Sequence, residues 1–234
     1  MRMYIWTETK PSRDGDLESG IVIHEYSHGI SNRLTGGGKN TGCLPWGEAG
    51  GMGEGWGDFF ATILSMDSKT TRHDDFAMGA YSAGGSGIRY YPYSTNMTTN
   101  PSTYGFVRRP KYWGVHAKGE VWAAILYEVY WNLVEKHGWE DDWFDVPTNT
   151  ESSGTSKAPK AGNKLALRLV MEGLKLQPCY PSFPDARDAI LLADEILTKG
   201  ANKCIIWKGF AKRGLGVGAI VMGTETFDVP EECK

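Results

Sequence analysis

His24 and His28 stand four residues apart, with Glu25 beside the first, in the stretch Ile21-Val22-Ile23-His24-Glu25-Tyr26-Ser27-His28. On an α-helix, residues i and i+4 share a face about one 5.4 Å turn apart. Two imidazoles so placed can reach one metal ion, and His-Glu-x-x-His on a helix is a recognised zinc-site pattern. Glu25 follows His24 by one residue, so it points about 100° round the helix. From there a carboxylate can meet a water next to the metal without chelating it.

A hydrolytic zinc site needs three protein ligands and an open position for water. The stretch Gly50-Gly51-Met52-Gly53-Glu54-Gly55-Trp56-Gly57-Asp58 offers Glu54 as the third ligand. Asp58, one helical turn further on, can accept the free ring N–H of a ligating histidine and fix its tautomer. His116 is one of only five histidines and sits at a glycine-flanked helix entry, Trp113-Gly114-Val115-His116-Ala117-Lys118-Gly119-Glu120. A side chain there can project into a cleft and meet developing negative charge. The expected centre is therefore one Zn²⁺ per chain on His24, His28 and Glu54. Glu25 and His116 are its catalytic groups, and Asp58 stands behind a ligand.

Helices must carry these residues. Asp14 and Asp16 offer N-cap oxygens and negative charge where the first should start. Leu17, Ile21, Val22, Ile23 and Tyr26 give it an apolar surface, and Gly29 would let the chain leave just after His28. A glycine-rich turn then feeds a second apolar helix bearing Glu54 and Asp58. A third runs from Val121 to about Lys136, with Trp122, Ile125, Leu126, Val129, Tyr130 and Leu133 at core-facing spacing and Gly138 as its stop. Between them, residues 67–112 are rich in Gly, Ser, Thr, Asn, Pro and Tyr and read as irregular structure packed on the site. Asp141, Asp142 and Asp145 read as a solvated loop rather than a calcium site. Residues 148–162 read as a surface excursion. Further helices are expected near 163–176, from Pro184 to Thr198, and from Ala201 to Lys212. The tail Phe227-Asp228-Val229-Pro230 should dock, and no internal repeat is present.

Taken together, these motifs resemble the catalytic part of the fungalysins, the secreted fungal zinc metalloendopeptidases of peptidase family M36. The resemblance is carried by His24-Glu25-Tyr26-Ser27-His28-Gly29, Ser31-Asn32-Arg33-Leu34-Thr35-Gly36-Gly37 and Gly51-Met52-Gly53-Glu54-Gly55-Trp56. Tyr91-Pro92-Tyr93-Ser94-Thr95, Val115-His116-Ala117 and Arg213-Gly214-Leu215-Gly216-Val217 extend it to near the C-terminus. More distantly, the chain is similar to the thermolysin-like group. The resemblance implies zinc ligation by His24, His28 and Glu54, with Glu25 as the general base toward zinc-bound water and later the proton donor to the leaving amine. It makes His116 the oxyanion partner and Asp58 the group that orients a ligand histidine. The implied fold is mainly α: thermolysin-like (gluzincin) active-site helices and a helical C-terminal part, with the β-rich N-terminal part mostly absent. Residues 1–234 would form one catalytic-domain portion, with active-site helices over about 14–65, a long loop region over 67–112 and a helical part over 113–234.

The implied activity is secreted, extracellular hydrolysis of protein or peptide substrates, with apolar residues preferred after the scissile bond. A precursor with a propeptide (a zymogen) and a monomeric enzyme are expected. The alternative is a truncated zinc-binding fragment without effective proteolysis, because the upstream sheet would form one wall of the cleft. Two features depart from the relatives. Residues 29–53 hold no tyrosine, so any phenol assisting the oxyanion comes from elsewhere, such as Tyr90, Tyr91, Tyr104 or Tyr112. Gly57 stands where fungalysins usually carry serine.

Composition is consistent with this. A chain of 234 residues with 41% hydrophobic content can bury a sizeable single core, while 30 glycines imply many loops. A net charge of −3 gives no basic footprint for nucleic acid. No apolar run is long enough to span a membrane, and no secretory signal can be read. Cys43, Cys179, Cys204 and Cys233 allow three pairings, none in a C-x-x-C zinc arrangement. Asn96-Met97-Thr98 is an N-glycosylation sequon, fitting a secreted glycoprotein.

Overall fold

A computed structural model describes residues 2–144 and 158–234. The chain is mainly α. It opens with a two-stranded antiparallel sheet, β1 (Ile5–Trp6) against β2 (Arg13–Asp14), with Ile5 opposite Asp14. Seven α-helices follow among the described residues: α1 (Ser19–Leu34), α2 (Gly47–Leu64), α3 (Ala80–Ala83), α4 (Val115–His137), α5 (Gly162–Leu176), α6 (Phe183–Thr198) and α7 (Lys203–Lys212). No helix among these residues is long and apolar enough to cross a membrane. Asp145 and residues 148–157 of the expected excursion lie outside the described residues.

The core is built on α4. Its face from Val121 to Leu133 is buried almost all round, and α2, α5 and α7 pack against it, with α1 laid on α2. Trp122 is fully buried and meets Trp56 of α2, Phe183 of α6 and Phe210 of α7. Each such apolar side chain stabilises the fold by about 1.5–3 kcal/mol through burial. The periodic residues expected to be core are core, and the helix begins earlier than Val121, at Val115. Gly138, at φ 79°, ends it as expected.

Three local expectations change. Asp14 caps not α1 but the 3-10 turn before it, accepting from the Asp16 amide at 3.1 Å. The first long helix also passes straight through Gly29 to Leu34. A mid-helix glycine costs about 1 kcal/mol, and here the extra turn buries Ser31 and partly buries Leu34 against the core. The stop comes at Gly36, whose φ of 77° lets the chain reverse. Finally, the glycine-rich stretch expected as a turn is the first half of α2.

Those glycines set the distance between helices. A Cβ on Gly55 would lie 2.6 Å from the Gly119 carbonyl oxygen, and one on Gly51 would lie 2.5 Å from the Lys118 Cβ. Tertiary packing overrides helix propensity here: α2 and α4 cross so closely that only hydrogen atoms fit between their backbones.

Residues 67–112 are mostly irregular, as expected. They hold α3, two 3-10 turns (Tyr104–Arg108 and Pro110–Tyr112) and a bridge between Phe76 and Tyr93. Arg213 ties this region to the core. It is 0% exposed, donates to the carbonyls of Asn100 (2.9 Å), Ser102 (2.8 Å) and Ser94, and pairs at 3.0 Å with the buried Glu128. Removing one partner of a buried pair costs about 3–5 kcal/mol. Lys212 still reaches Glu128 at 2.8 Å, so Arg213→Met is expected at the low end of that range. Urea unfolding checks this: an unchanged midpoint would show the network contributes nothing.

The cysteines form Cys43–Cys179 and Cys204–Cys233, one of the three possible pairings. The second holds the tail, where the Val217 amide also bonds the Asp228 carbonyl at 2.8 Å. The tail docks, as expected.

Candidate metal centre

The packing of α1 on α2 brings the two carboxylate-bearing turns of α2 against the histidine face of α1. His24 is 5% exposed and His28 half-buried. Their Nε2 atoms lie 3.1 and 3.7 Å from one oxygen, Glu54 Oε2. The rings are 4.8 Å apart and nearly perpendicular. Ligand atoms on a tetrahedral zinc ion at about 2.0–2.1 Å are about 3.3 Å from one another. The two His–Glu54 separations bracket that value, and the donor set of two imidazole nitrogens and a carboxylate oxygen suits zinc. The residues present fit the metal.

Glu25 is exposed on the neighbouring side of α1, and ligand atoms of His24, Glu25 and His28 lie within 4.8 Å of one another. Glu25 is thus near enough to serve a reactant at the centre. Glu54, by contrast, faces both imidazole nitrogens directly. His116 arrives from the first turn of α4. Its Nε2 is 3.2 Å from the same Glu54 oxygen, and its side chain is 65% exposed at the open rim. All five residues named from the sequence around the metal are therefore brought together.

The surroundings favour positive charge at His24 Nε2. Burial alone would lower its pKa, but hydrogen bonds to Asp58 and Glu54 outweigh burial and push it up to about 9. Glu54 runs the other way: burial raises it, and the His24 bond and nearby imidazoles bring it below its ordinary value. Burial lowers His28. A cation taking the place of the Nε2 proton would meet the Glu54 oxygen, with Asp58 behind the ring at Nδ1.

Asp58 accepts from His24 Nδ1 at 2.7 Å, as expected, and is 0% exposed. Two partners of Asp58 were not read from the sequence. Arg89 donates twice, from Nε to Oδ2 at 2.6 Å and from Nη2 to Oδ1 at 2.9 Å. The Tyr93 hydroxyl donates to Oδ2 as well. Burial would raise the Asp58 carboxyl, but Arg89 and the His24 bond hold it well below the usual carboxylate range. One signal was available: an aspartate among Trp56, Phe59, Phe60 and Ala61 must be buried and so needs a cation. Nothing local says which.

Of the four candidate phenols, Tyr104 donates to Glu48 (2.8 Å) and Tyr112 to Glu120 (3.3 Å), neither of them a candidate ligand. Tyr91 is half-buried, and Tyr90, whose hydroxyl donates to the Lys111 carbonyl at 3.4 Å, lines the cavity that also holds His116, Arg89 and Glu120. At Gly57, a Cβ would come within 2.7 Å of His24 Nδ1, so the glycine leaves the ring room.

Two crossed helices, one bearing His-Glu-x-x-His and the other Glu-x-x-x-Asp, define a helical His/Glu metal centre. Residues 1–219 match the family described as fungalysin metallopeptidase (M36), and the chain belongs to it. It is similar to the extracellular metalloproteinase of Pyrenophora tritici-repentis, 53% identical over 98% of this chain and 35% of that protein. It is likewise 53% identical to the extracellular metalloproteinase mep of Aspergillus terreus, over 99% of this chain and 36% of the relative. A third, the extracellular metalloproteinase MEP of Neosartorya fischeri, is 56% identical over 94% of this chain and 33% of its own length. The chain spans about a third of the length of these relatives.

Proposed function

We propose that residues 1–234 act as one catalytic unit of a secreted zinc metalloendopeptidase, with one Zn²⁺ held by His24, His28 and Glu54. The observation that carries this reading is the convergence of both Nε2 atoms on Glu54 Oε2, with Asp58 on the far side of His24. Asp58 accepts the hydrogen bond of the His24 Nδ1–H, which fixes the tautomer and leaves the Nε2 lone pair directed at the metal position. Zinc at this point supplies Lewis acidity, lowering the pKa of water and polarising a peptide carbonyl. Glu25 takes a proton from the attacking water and passes it to the nitrogen of the departing amine. His116, at the open rim, donates its N–H to the oxyanion that develops on the carbonyl. Among the candidate phenols, Tyr90 is the one that lines the same cavity as His116.

A mostly apolar cavity is lined by Tyr26, Ile30, Leu34 and Met171, with Glu25 and Arg33 as its charged members. It suits an apolar substrate side chain, in line with an endopeptidase acting on protein or peptide chains. Two disulfides fit an oxidising, extracellular setting. Asn96 is exposed and so accessible for glycosylation. A propeptide in the precursor and a monomeric mature form belong to the same reading.

Zinc titration against a chromophoric chelator tests the centre, paired with cleavage of a quenched peptide. One equivalent of zinc is expected per chain, lost on His28→Ala or Glu54→Gln. Cleavage should stop on chelation and return with added zinc. Cleavage indifferent to the chelator, or zinc uptake unchanged in both variants, would sink the reading.

A further inference from the structure

The carboxylate that steadies His24 is carried by α2 but, apart from His24, takes no hydrogen bond from the helix pair that carries the ligands. It is held by the irregular region between α2 and α4. Asp58 is 0% exposed, and Arg89, with a side chain 7% exposed, grips both of its oxygens at 2.6 and 2.9 Å. Tyr93 adds a third donor from the same segment. The Arg89 end of that segment is fixed in turn from α4: buried Glu120 accepts the Tyr90 amide at 2.9 Å and the Tyr112 hydroxyl at 3.3 Å. Ile88, Arg89 and Tyr90 also wall the cavity next to His116.

We propose that Arg89, assisted by Tyr93, is a positioning residue of the metal centre. Its guanidinium sets the plane of the Asp58 carboxylate, and Asp58 sets the ring of His24. The geometry is the reason. A guanidinium fork matched to a carboxylate fixes orientation as well as charge, which an ammonium cannot do. With Arg89 gone, Asp58 retains one donor on each oxygen, His24 on Oδ1 and Tyr93 on Oδ2, and without the fork its carboxylate can rotate. The Nδ1 bond of His24 turns with it, and Nε2 leaves the line it shares with His28 toward Glu54. Residues 88–93 thus belong to the metal site although no ligand lies among them.

This inference rests on the zinc reading above, and the test keeps the two apart. Zinc affinity is measured by chelator competition, and the visible spectrum of the cobalt-substituted chain reports ligand geometry. Partners of metal ligands typically matter by about 10–100-fold in affinity. Arg89→Met is therefore expected to weaken zinc by that factor and to shift the cobalt bands. Arg89→Lys should recover part of the affinity, since charge returns without the fork. Tyr93→Phe should have a smaller effect in the same direction. Arg72→Met is the control: it removes ion pairs to Glu128 and Glu135 from the same irregular region, and it should leave zinc affinity and the cobalt spectrum as in wild type. If Arg89→Met does not fold, Arg89→Lys and Tyr93→Phe decide the matter. Wild-type affinity and cobalt bands in the folded Arg89 and Tyr93 variants would overturn the inference while leaving the zinc centre standing. Failure of the wild-type chain to bind zinc would overturn both.

Discussion

Glu25→Gln is expected to slow peptide cleavage by about 10²–10⁴-fold, the usual contribution of a general base, while the chain still takes up one zinc. The substitution keeps shape and removes only the ability to accept and return a proton. Glu25 is exposed beside His24, close enough to the imidazole nitrogens to reach a reactant between them. Glu54 faces those nitrogens at 3.1 and 3.7 Å. The two carboxylates should therefore separate cleanly in one pair of measurements. Glu25→Gln loses turnover and keeps metal; Glu54→Gln loses metal and turnover together. If Glu25→Gln released the zinc, Glu25 would be a ligand and another base would have to be found. If it cleaved at the wild-type rate, the proton pathway drawn here would be wrong.

Gly119→Ala is expected to damage the helix crossing and the metal centre together. A Cβ there would lie 2.6 Å from the Cβ of Glu54, and 2.8 Å from both the Gly51 carbonyl oxygen and the Gly55 nitrogen. Replacing a helical glycine by alanine ordinarily gains about 1 kcal/mol, whereas overpacking costs about 1–3 kcal/mol. The second effect wins here because two of the three clashing atoms are backbone and cannot rotate away. Relief requires α4 to move off α2, which separates His116 from Glu54 and tilts Glu54 itself. Melting temperature should fall by about 2–4 °C per kcal/mol lost, and zinc affinity should fall with it. Gly38→Ala, where a Cβ meets nothing within 4 Å, should leave both near wild type. A Gly119→Ala chain as stable and as tightly metallated as wild type would show that the helix crossing is looser than described.

The same crossing explains what could and could not be read in advance. Gly50, Gly51, Gly53, Gly55 and Gly57 look like a turn when each residue is judged by its own backbone freedom. They lie in a helix all the same, and at Gly51, Gly55 and Gly57 it is α4 and the ring of His24 that occupy the space a side chain would fill. Gly29 looked like a stop, yet the helix runs on, since the local cost is small beside the surface buried by one more turn. By contrast, the stop at Gly138 and the core face from Trp122 to Leu133 were read correctly, because periodicity along one helix is a local property.

What the sequence by itself determined is how the candidate metal-binding groups are arranged within each helix. Four-residue spacing puts His24 and His28 on one face, sets Glu25 off to the side, and places Asp58 one turn beyond Glu54. Helical geometry supplies those relations wherever the helices lie. Only the tertiary structure decided which oxygen the imidazoles share, how near His116 comes, which cysteines pair, and that Arg89 and Tyr93 clamp Asp58. These depend on groups 29 to 136 residues apart in the chain. A contact of that kind depends on which surfaces bury best together, and no local pattern records it.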